Sequence, residues 1–494
     1  MRDVNLRDTA PTTRVLVVAI MVSMVAFLNS AVANLALPAT QRDLGGGLVV
    51  QQWVVGAYLL ALAATVLPAG SISDLFGRVP VMRFGLATFG VGAVVAASAT
   101  SPLMLILGRI VQGVGGAFLV PGSVALINSA FDPVDRPAAI GTWTAWTGTA
   151  FAVGPLMGGL AVDYLSWRWI YLLSAVPIAV GFALTFWLCP MPGPSERARV
   201  DIGGAALSAL GLTATVCALI ESQQRGWDDL FVNASLVVGI IALLAFVAWE
   251  RRTLAPMLPL GLFAIRNFAG ANLATAFVYG GLTLGSLAIA IYTQEVAGYT
   301  ATAAGLVTLP TPILSFLFAK YVGVAAARFG PRIFVMGGSV LAGVGLLLIH
   351  PSAECFNVAT RLMPGMIVVA TGLVLTITPL TSLNLSAVES EHSGIAAAIQ
   401  NVVGRTSALT AVACVGLVAA GTLTDASFSR VLRVSAVLFF IAAMICAALV
   451  RDRALPDEAV PCEVAALCLD QHEVHAELPQ SDLATVSDRS ELLR

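Results

Sequence analysis

Arg109 stands inside an apolar run, at the head of Arg109-x-x-Gln112-Gly113-x-Gly115-Gly116-Ala117, with Pro121-Gly122-Ser123 following. A guanidinium within a membrane helix costs about 2.5–3.5 kcal/mol on insertion scales, so it is expected to face the bundle interior or water. Two roles suit it there, a buried polar tie between helices or a station on a path for substrate or protons. Arg405 stands in a similar run, and the amides Asn29 and Asn34 lie in the first one, within Leu28-Asn29-Ser30-Ala31-Val32-Ala33-Asn34-Leu35-Ala36-Leu37-Pro38. A coupling proton in a membrane usually rides on a carboxylate. The candidates are few: Asp74, Asp163, Glu221 and Glu295, all near helix ends.

Two further patterns carry mechanical chemistry. Gly70-x-x-x-Asp74-x-x-Gly77-Arg78, with Arg83 beyond it, joins two apolar runs. Glycine permits a tight turn, Asp74 can accept from the next helix's N-terminus, and the arginines can pair with carboxylate or lipid phosphate. A loop tied in this way latches two helices, although an ordinary helix-turn-helix with positively charged flanks would carry the same residues. Gly148-x-x-x-Ala152-x-Gly154-Pro155-x-x-Gly158-Gly159 lies in the fifth apolar run. Small residues let backbones approach closely, and proline removes a helix hydrogen bond and bends the segment. Helix packing alone would account for it.

The elements that position these residues follow from composition. Of 494 residues, 58% are hydrophobic and 11% charged, against about 25% charged in soluble domains. Mean hydropathy is +0.89. A helix crossing about 30 Å of hydrocarbon needs about 20 apolar residues, and runs centred near 26, 60, 91, 116, 150, 179, 211 and 240 meet that length. Six more, near 281, 312, 341, 371, 406 and 440, bring the expected total to fourteen. The expectation is an all-α polytopic membrane protein, since helices satisfy their backbone internally. The first run, from about Val15 to Leu37, is too long for a signal peptide's core and reads as the first membrane helix.

Lys and Arg set the expected orientation. With the N-terminus inside, the inner segments hold Arg2, Arg7, Arg14, Arg78, Arg83, Arg136, Arg251, Arg252, Arg266, Lys320, Arg328, Arg332 and Arg451, among others. The outer ones hold Arg42, Arg168, Arg225, Arg361 and Arg430, with Arg433 nearby. Both termini are therefore expected in the cytoplasm. The segment Gly70 to Gly77 recurs in weakened form as Gly323 to Gly330, and Ile140-Gly141 recurs as Ser393-Gly394 at the same offset of 253 residues. That repeat divides the chain into a cytoplasmic N-terminus (1–14), a six-helix bundle (15–190), a two-helix insertion with linkers (191–262), a second six-helix bundle (263–450) and a polar cytoplasmic tail (451–494). Two related halves with a site between them is the plan of many secondary transporters.

Other classes fit poorly. A net charge of −2 argues against a nucleic-acid binder. No HExxH, GxSxG or GxxxxGK[ST] pattern is present, which argues against a membrane enzyme or an ATP-driven pump. No cofactor and no metal site is expected. Seven cysteines have no CxxC spacing, and the nearest pair, Cys462 and Cys468, lacks histidine ligands at suitable spacing. His350 and His392 read as surface residues. Trp143 and Trp146 could line a cavity or serve as packing and interfacial anchors.

At these motifs the chain resembles the major facilitator superfamily, specifically its fourteen-helix drug:proton antiporter family. The conserved-loop motif falls on Gly70, Asp74, Gly77 and Arg78, the fourth-helix motif on Arg109, Gln112 and Gly113, and the antiporter motif on Gly154, Pro155, Gly158 and Gly159. Trp53-Val54-Val55 with Tyr58, Trp167-Arg168-Trp169 and Asn267 to Asn272 look similar too, so the resemblance covers about residues 15–450. It implies a twelve-helix core with two inserted helices, alternating access, and efflux of lipophilic, often cationic drugs against inward proton flow. The implied partners are a small amphiphilic substrate, protons and the lipid bilayer of a bacterial plasma (inner) membrane, the protein acting as a monomer. Where the family usually places an aspartate, this chain has Asn29, which leaves Glu295 or Asp74 to carry a coupling proton. Uptake or exchange of a metabolite, uncoupled from protons, stands as the alternative.

Overall fold

A computed structural model describes residues 9–132, 135–188, 201–253, 256–351, 357–388, 393–421 and 423–451. The expected tail at 451–494, with Cys462 and Cys468, lies outside the described residues apart from Arg451, as do Cys189, Cys355 and His392. Among the described residues there are helices and connecting turns and no strands. Before the insertion come α1 (Thr9–Val32), α2 (Leu37–Leu44), α3 (Gly47–Phe76), α4 (Arg78–Ala97), α5 (Pro102–Ala130), α6 (Arg136–Tyr164), α7 (Arg168–Leu172) and α8 (Ala175–Thr185). The inserted pair is α9 (Ile202–Arg225) and α10 (Leu230–Glu250). After it come α11 (Arg266–Ile291), α12 (Ala301–Thr308), α13 (Pro310–Phe329), α14 (Pro331–Leu347), α15 (Met363–Ser386), α16 (Ser393–Ala419) and α17 (Asp425–Leu449). Thirteen described segments are long and apolar enough to span a membrane, and Pro331–Leu347 is a shorter apolar fourteenth.

Several expected spans are interrupted, each where local chemistry interrupts it. The first run leaves α1 through a 3-10 turn at Ala33–Ala36 and resumes as α2, with Pro38 in its first turn. The sixth breaks between α7 and α8 at Leu173-Ser174, just ahead of Pro177. The tenth breaks at Leu309, because Pro310 has no N–H to donate and starts α13 instead. The ninth ends in a π-turn over Tyr292–Val296, which includes Glu295. The α3–α4 corner turns on Gly77 at φ +89°, and α13–α14 turns on Gly330 at φ +90°. Those glycines stand 253 residues apart, and both occupy a backbone region that L side chains rarely enter.

Packing follows the order of the chain. In the first helix group α1 packs on α5, α6 and α8, while α4 and α3 flank α5; in the second, α11 packs on α16 and α17, and α14 and α13 flank α15. The groups meet along two seams, α3 against α16 and α6 against α12. Residues on both seams lie towards one end of the bundle, the closed end hereafter. At the opposite, open end α6 keeps only the stripe Ala139, Trp143, Thr147 and Ala150 buried over residues 138–150. Over 316–330 the described buried residues are Val322 and Ala326. Phe316 and Tyr321 are 77% and 70% exposed, so beside its packing on α15 much of the surface of α13 is uncovered there.

Candidate functional site

Arg109 sits at the crossing of four elements and is wholly buried. Its Nε donates to the Val54 carbonyl of α3 at 3.0 Å, and one terminal nitrogen donates to Asn29 Oδ1 of α1 (2.9 Å) and to Gln112 Oε1 of α5 (3.0 Å). Its Cζ lies 4.4 Å from the ring centre of Tyr58 and 5.7 Å from that of Tyr171 in α7. Glycine permits this approach: a Cβ on Gly113 would stand 2.7 Å from Ala61 Cβ and 3.1 Å from the Leu62 nitrogen. A buried charge must be paired or fully hydrogen-bonded to persist, and the three acceptors around Arg109 are neutral oxygens. Among the described residues, Asn29 Nδ2, Gln112 Nε2 and the Tyr58 and Tyr171 hydroxyls find no hydrogen-bond partner.

The closed end is a second polar assembly. Gln51 Nε2 donates to Gln41 Oε1 at 2.5 Å and across the seam to Glu295 Oε1 at 2.6 Å. Beside it, Gln52 Nε2 donates to the Val412 and Ala413 carbonyls of α16 at 2.8 and 3.1 Å. On the other seam Asp163, at the end of α6, accepts from the Ala301 and Thr302 backbone nitrogens at 2.9 and 2.8 Å. It thereby serves donors at the N-terminus of α12 that have no partner within their own helix. The motif glycines of α6 divide between two neighbours. Cβ atoms on Gly154 and Gly158 would meet Ala31 and Val32 of α1 at 2.9 Å, whereas one on Gly159 would meet Thr302 backbone at 2.5 Å. Pro155 packs its carbonyl against Gly305. Gly148 has nothing within 4 Å.

The latch residues lie at the open end, where Gly77 caps α3 and begins α4. Arg78 donates to the Ala125 carbonyl of α5 at 2.6 Å. Arg83 donates to Thr185 Oγ1 and its carbonyl at 3.0 and 2.9 Å and covers Phe186. Asp74 lies in α3, its side chain outside the described residues; Gly70 is also helical, with open space around it. Asn34 is half-buried in the turn after α1. Arg405 reaches Asn401 at 3.3 Å on its own helix. The structure brings Asn29, Gln112 and Arg109 together, and places Glu295 apart from them at the closed end.

Residues 19–412 match the sequence profile of the Major Facilitator Superfamily. The chain belongs to that superfamily. It is 34% identical over 415 residues to the puromycin resistance protein of Streptomyces alboniger, covering 82% of this chain and 81% of that one. It is 33% identical over 390 residues to a multidrug resistance protein of Mycobacterium tuberculosis, covering 77% and 71%. Among solved structures, a POT family transporter superposes with a TM-score of 0.67 at 14% identity, over 87% of this chain and 94% of that one. That last likeness concerns the fold alone.

This facilitator is a multi-pass membrane transporter rather than an enzyme. Sequence reasoning passed over Gln41, Gln51 and Gln52, because a neutral amide near a helix end carries no motif. Asp163 was visible as a carboxylate near a helix end, but its partner lies 138 residues away. Trp143 packs into the α1 face, donating to Ser23 Oγ at 3.0 Å, while Trp146 is exposed. His350 is exposed.

Proposed function

We propose that the chain exports small amphiphilic compounds by alternating access, with its closed end outward and both termini in the cytoplasm of a bacterial plasma membrane. The observation that carries this reading is the asymmetry of contact: the helix groups are tied at one end by Gln51–Glu295, Gln52–α16 and Asp163–α12, while α6 and α13 are sparsely packed at the other. Ties made of a few polar groups can break and re-form. The relatives named for resistance favour export, because a membrane carrier protects a cell by lowering the internal concentration of a toxic compound. Residues 15–190 and 263–450 would then act as two six-helix halves, with 191–262 inserted, in a monomer. Protons are the proposed counter-ion, with Glu295 positioned to link their binding to the closed-end contact.

A second reading, uncoupled uptake or exchange of a metabolite, has one specific support. Asn29, where a titratable group would have neutralised Arg109, cannot take or lose a proton. The test is a panel of puromycin, ethidium, Nile red and fluorescein in an expressing strain and its parent. Growth inhibition and accumulation are followed with and without an imposed pH gradient. Lower accumulation that collapses with the gradient supports proton-driven export. Higher accumulation, or indifference to the gradient, supports the second reading.

A further inference from the structure

The inserted pair does not merely lie beside the core. Helix α9 packs along α3 of the first half and reaches α16 of the second, while α10 backs α9 from outside. At Gly56 three elements meet: Ile220 of α9 and Leu409 of α16 each bring a Cδ1 to 3.8 Å from a Cβ built there. The Ala413 carbonyl receives Gln52 Nε2 from the first half at 3.1 Å and Gln223 Nε2 from the insertion at 3.3 Å. Gln223 lays its amide directly on Gly416, where only a missing side chain leaves room. Towards the first half, Trp53 Nε1 donates to Glu221 Oε1 at 3.1 Å, and Glu221 is steadied by Arg225 at 3.2 Å. We propose that α9 is a third member of the closed-end gate, hinged on α3 through Trp53–Glu221 and releasing α16 at Gln223 when that end opens.

The choice of which side lets go follows from the bonds. A donor to a carboxylate makes a charge-assisted hydrogen bond, stronger than one between neutral groups, so the Trp53–Glu221 tie outlasts the Gln223–Ala413 tie. Gln223 Nε2 also lies 3.3 Å from the Leu219 carbonyl of its own helix. Release therefore leaves its proton with an acceptor, which keeps the cost of opening low. The α6–α12 seam involves Asp163 and Gly159, so the insertion acts on one seam of the gate. Glu221, Gln223 and Trp53 are positioning residues here.

This inference rests on the alternating-access reading, and three tethers separate the two. Cysteine pairs are introduced and bridged with a reducible bis-methanethiosulfonate, and efflux is measured for whichever of the four panel compounds the unmodified chain exports. The unmodified chain and the single-cysteine variants, treated alike, set the baseline. Gln52→Cys with Val412→Cys joins the halves directly and should stop efflux until reduced. If it does not, alternating access itself fails, and the inference with it. Gln223→Cys with Gly416→Cys should lower efflux at least tenfold, reversibly. Trp53→Cys with Glu221→Cys should leave efflux within twofold of its own reduced form. Free efflux with α9 tethered to α16, or arrest with α9 tethered to α3, overturns the proposal. Should a pair prove inactive even when reduced, Gly416→Leu decides instead. That substitution expels the Gln223 amide and should speed cysteine labelling at Val412→Cys, which is buried at the α3–α16 seam, and unchanged labelling counts against the clamp.

Discussion

Guanidinium groups only donate hydrogen bonds, so the amides of Asn29 and Gln112 must turn their oxygens towards Arg109 and their NH2 groups away. The orientation of two side chains is thus forced by a third, and both outward-facing NH2 groups are left without a partner among the described residues. Holding a buried cation by neutral oxygens is weaker than pairing it with a carboxylate. Asn29→Asp, nearly isosteric, should therefore raise the apparent unfolding temperature, by about 2 °C for each kcal/mol gained. Thermal unfolding in detergent, followed by fluorescence-detected gel filtration, reads this directly, and a fall in that temperature would show that desolvating a second charge outweighs the pair. Arg109→Lys keeps the charge but loses the planar fork that spans Val54, Asn29 and Gln112. Losing one charged hydrogen bond of about 1.5–3 kcal/mol should cut transport at least about tenfold with the protein still in the membrane; near-normal transport would reduce Arg109 to packing. Much of this centre was legible. The sequence showed an arginine in a place where arginine is costly, with Gln112 one turn away and Asn29 in the first run. Tyr171 carried no comparable signal and Tyr58 only its place in the family resemblance, because an aromatic in an apolar run looks the same whether it stacks on a cation or on leucine.

Helix α6 separates the demands that its glycine motif makes. Gly154 and Gly158 face α1, Gly159 and Pro155 face α12, and Gly148 faces nothing within 4 Å. Replacing each in turn should give a graded series. Gly148→Ala should be silent or slightly stabilising, since alanine gains up to about 1 kcal/mol in a helix interior. Gly154→Leu should abolish export with modest loss of abundance, and Gly159→Ala should already impair it, because the obstacle is the Thr302 backbone rather than a movable side-chain tip. Equal effects at all three positions, judged by drug accumulation against membrane abundance, would mean that the motif sets helix flexibility and not close approach. Asp163→Asn should weaken the cap on α12 by about 0.3–1 kcal/mol through loss of charge at the helix N-terminus. The spans themselves were legible because about 20 consecutive apolar residues have few alternative explanations. Their interruptions were not read, although Pro310 and Pro177 were in view. The contacts across the seams were hidden for a different reason: Gln51 and Glu295 are 244 residues apart and share no pattern.

At the scale of the whole molecule, cations mark one face. Arg14, Arg78, Arg83, Arg136, Arg251, Arg252, Arg266, Arg328, Arg332 and Arg451 fall at or near helix ends on the open side, with Lys320 midway along α13, against Arg42, Arg168, Arg225, Arg361, Arg430 and Arg433 on the closed side. Part of the closed-side charge is neutralised in place, Arg168 by Asp43 at 2.8 Å and Arg225 by Glu221 at 3.2 Å. Positively charged loops stay cytoplasmic during insertion, so the open end is expected to face inward, able to receive compounds from the cytoplasm and the inner leaflet. Two exposed loop positions test this without touching either polar assembly: Asp135, between α5 and α6 at the open end, and Asp228, between α9 and α10 at the closed end. In sealed cells a membrane-impermeant maleimide should label Asp228→Cys and leave Asp135→Cys unmodified until the cells are broken, with the native cysteines as the common background. The reverse pattern would turn the molecule over and make the closed end cytoplasmic. An exporter resting in that state would present its bound compound to the outside first, so the same labelling also fixes which half of the transport cycle the structure represents.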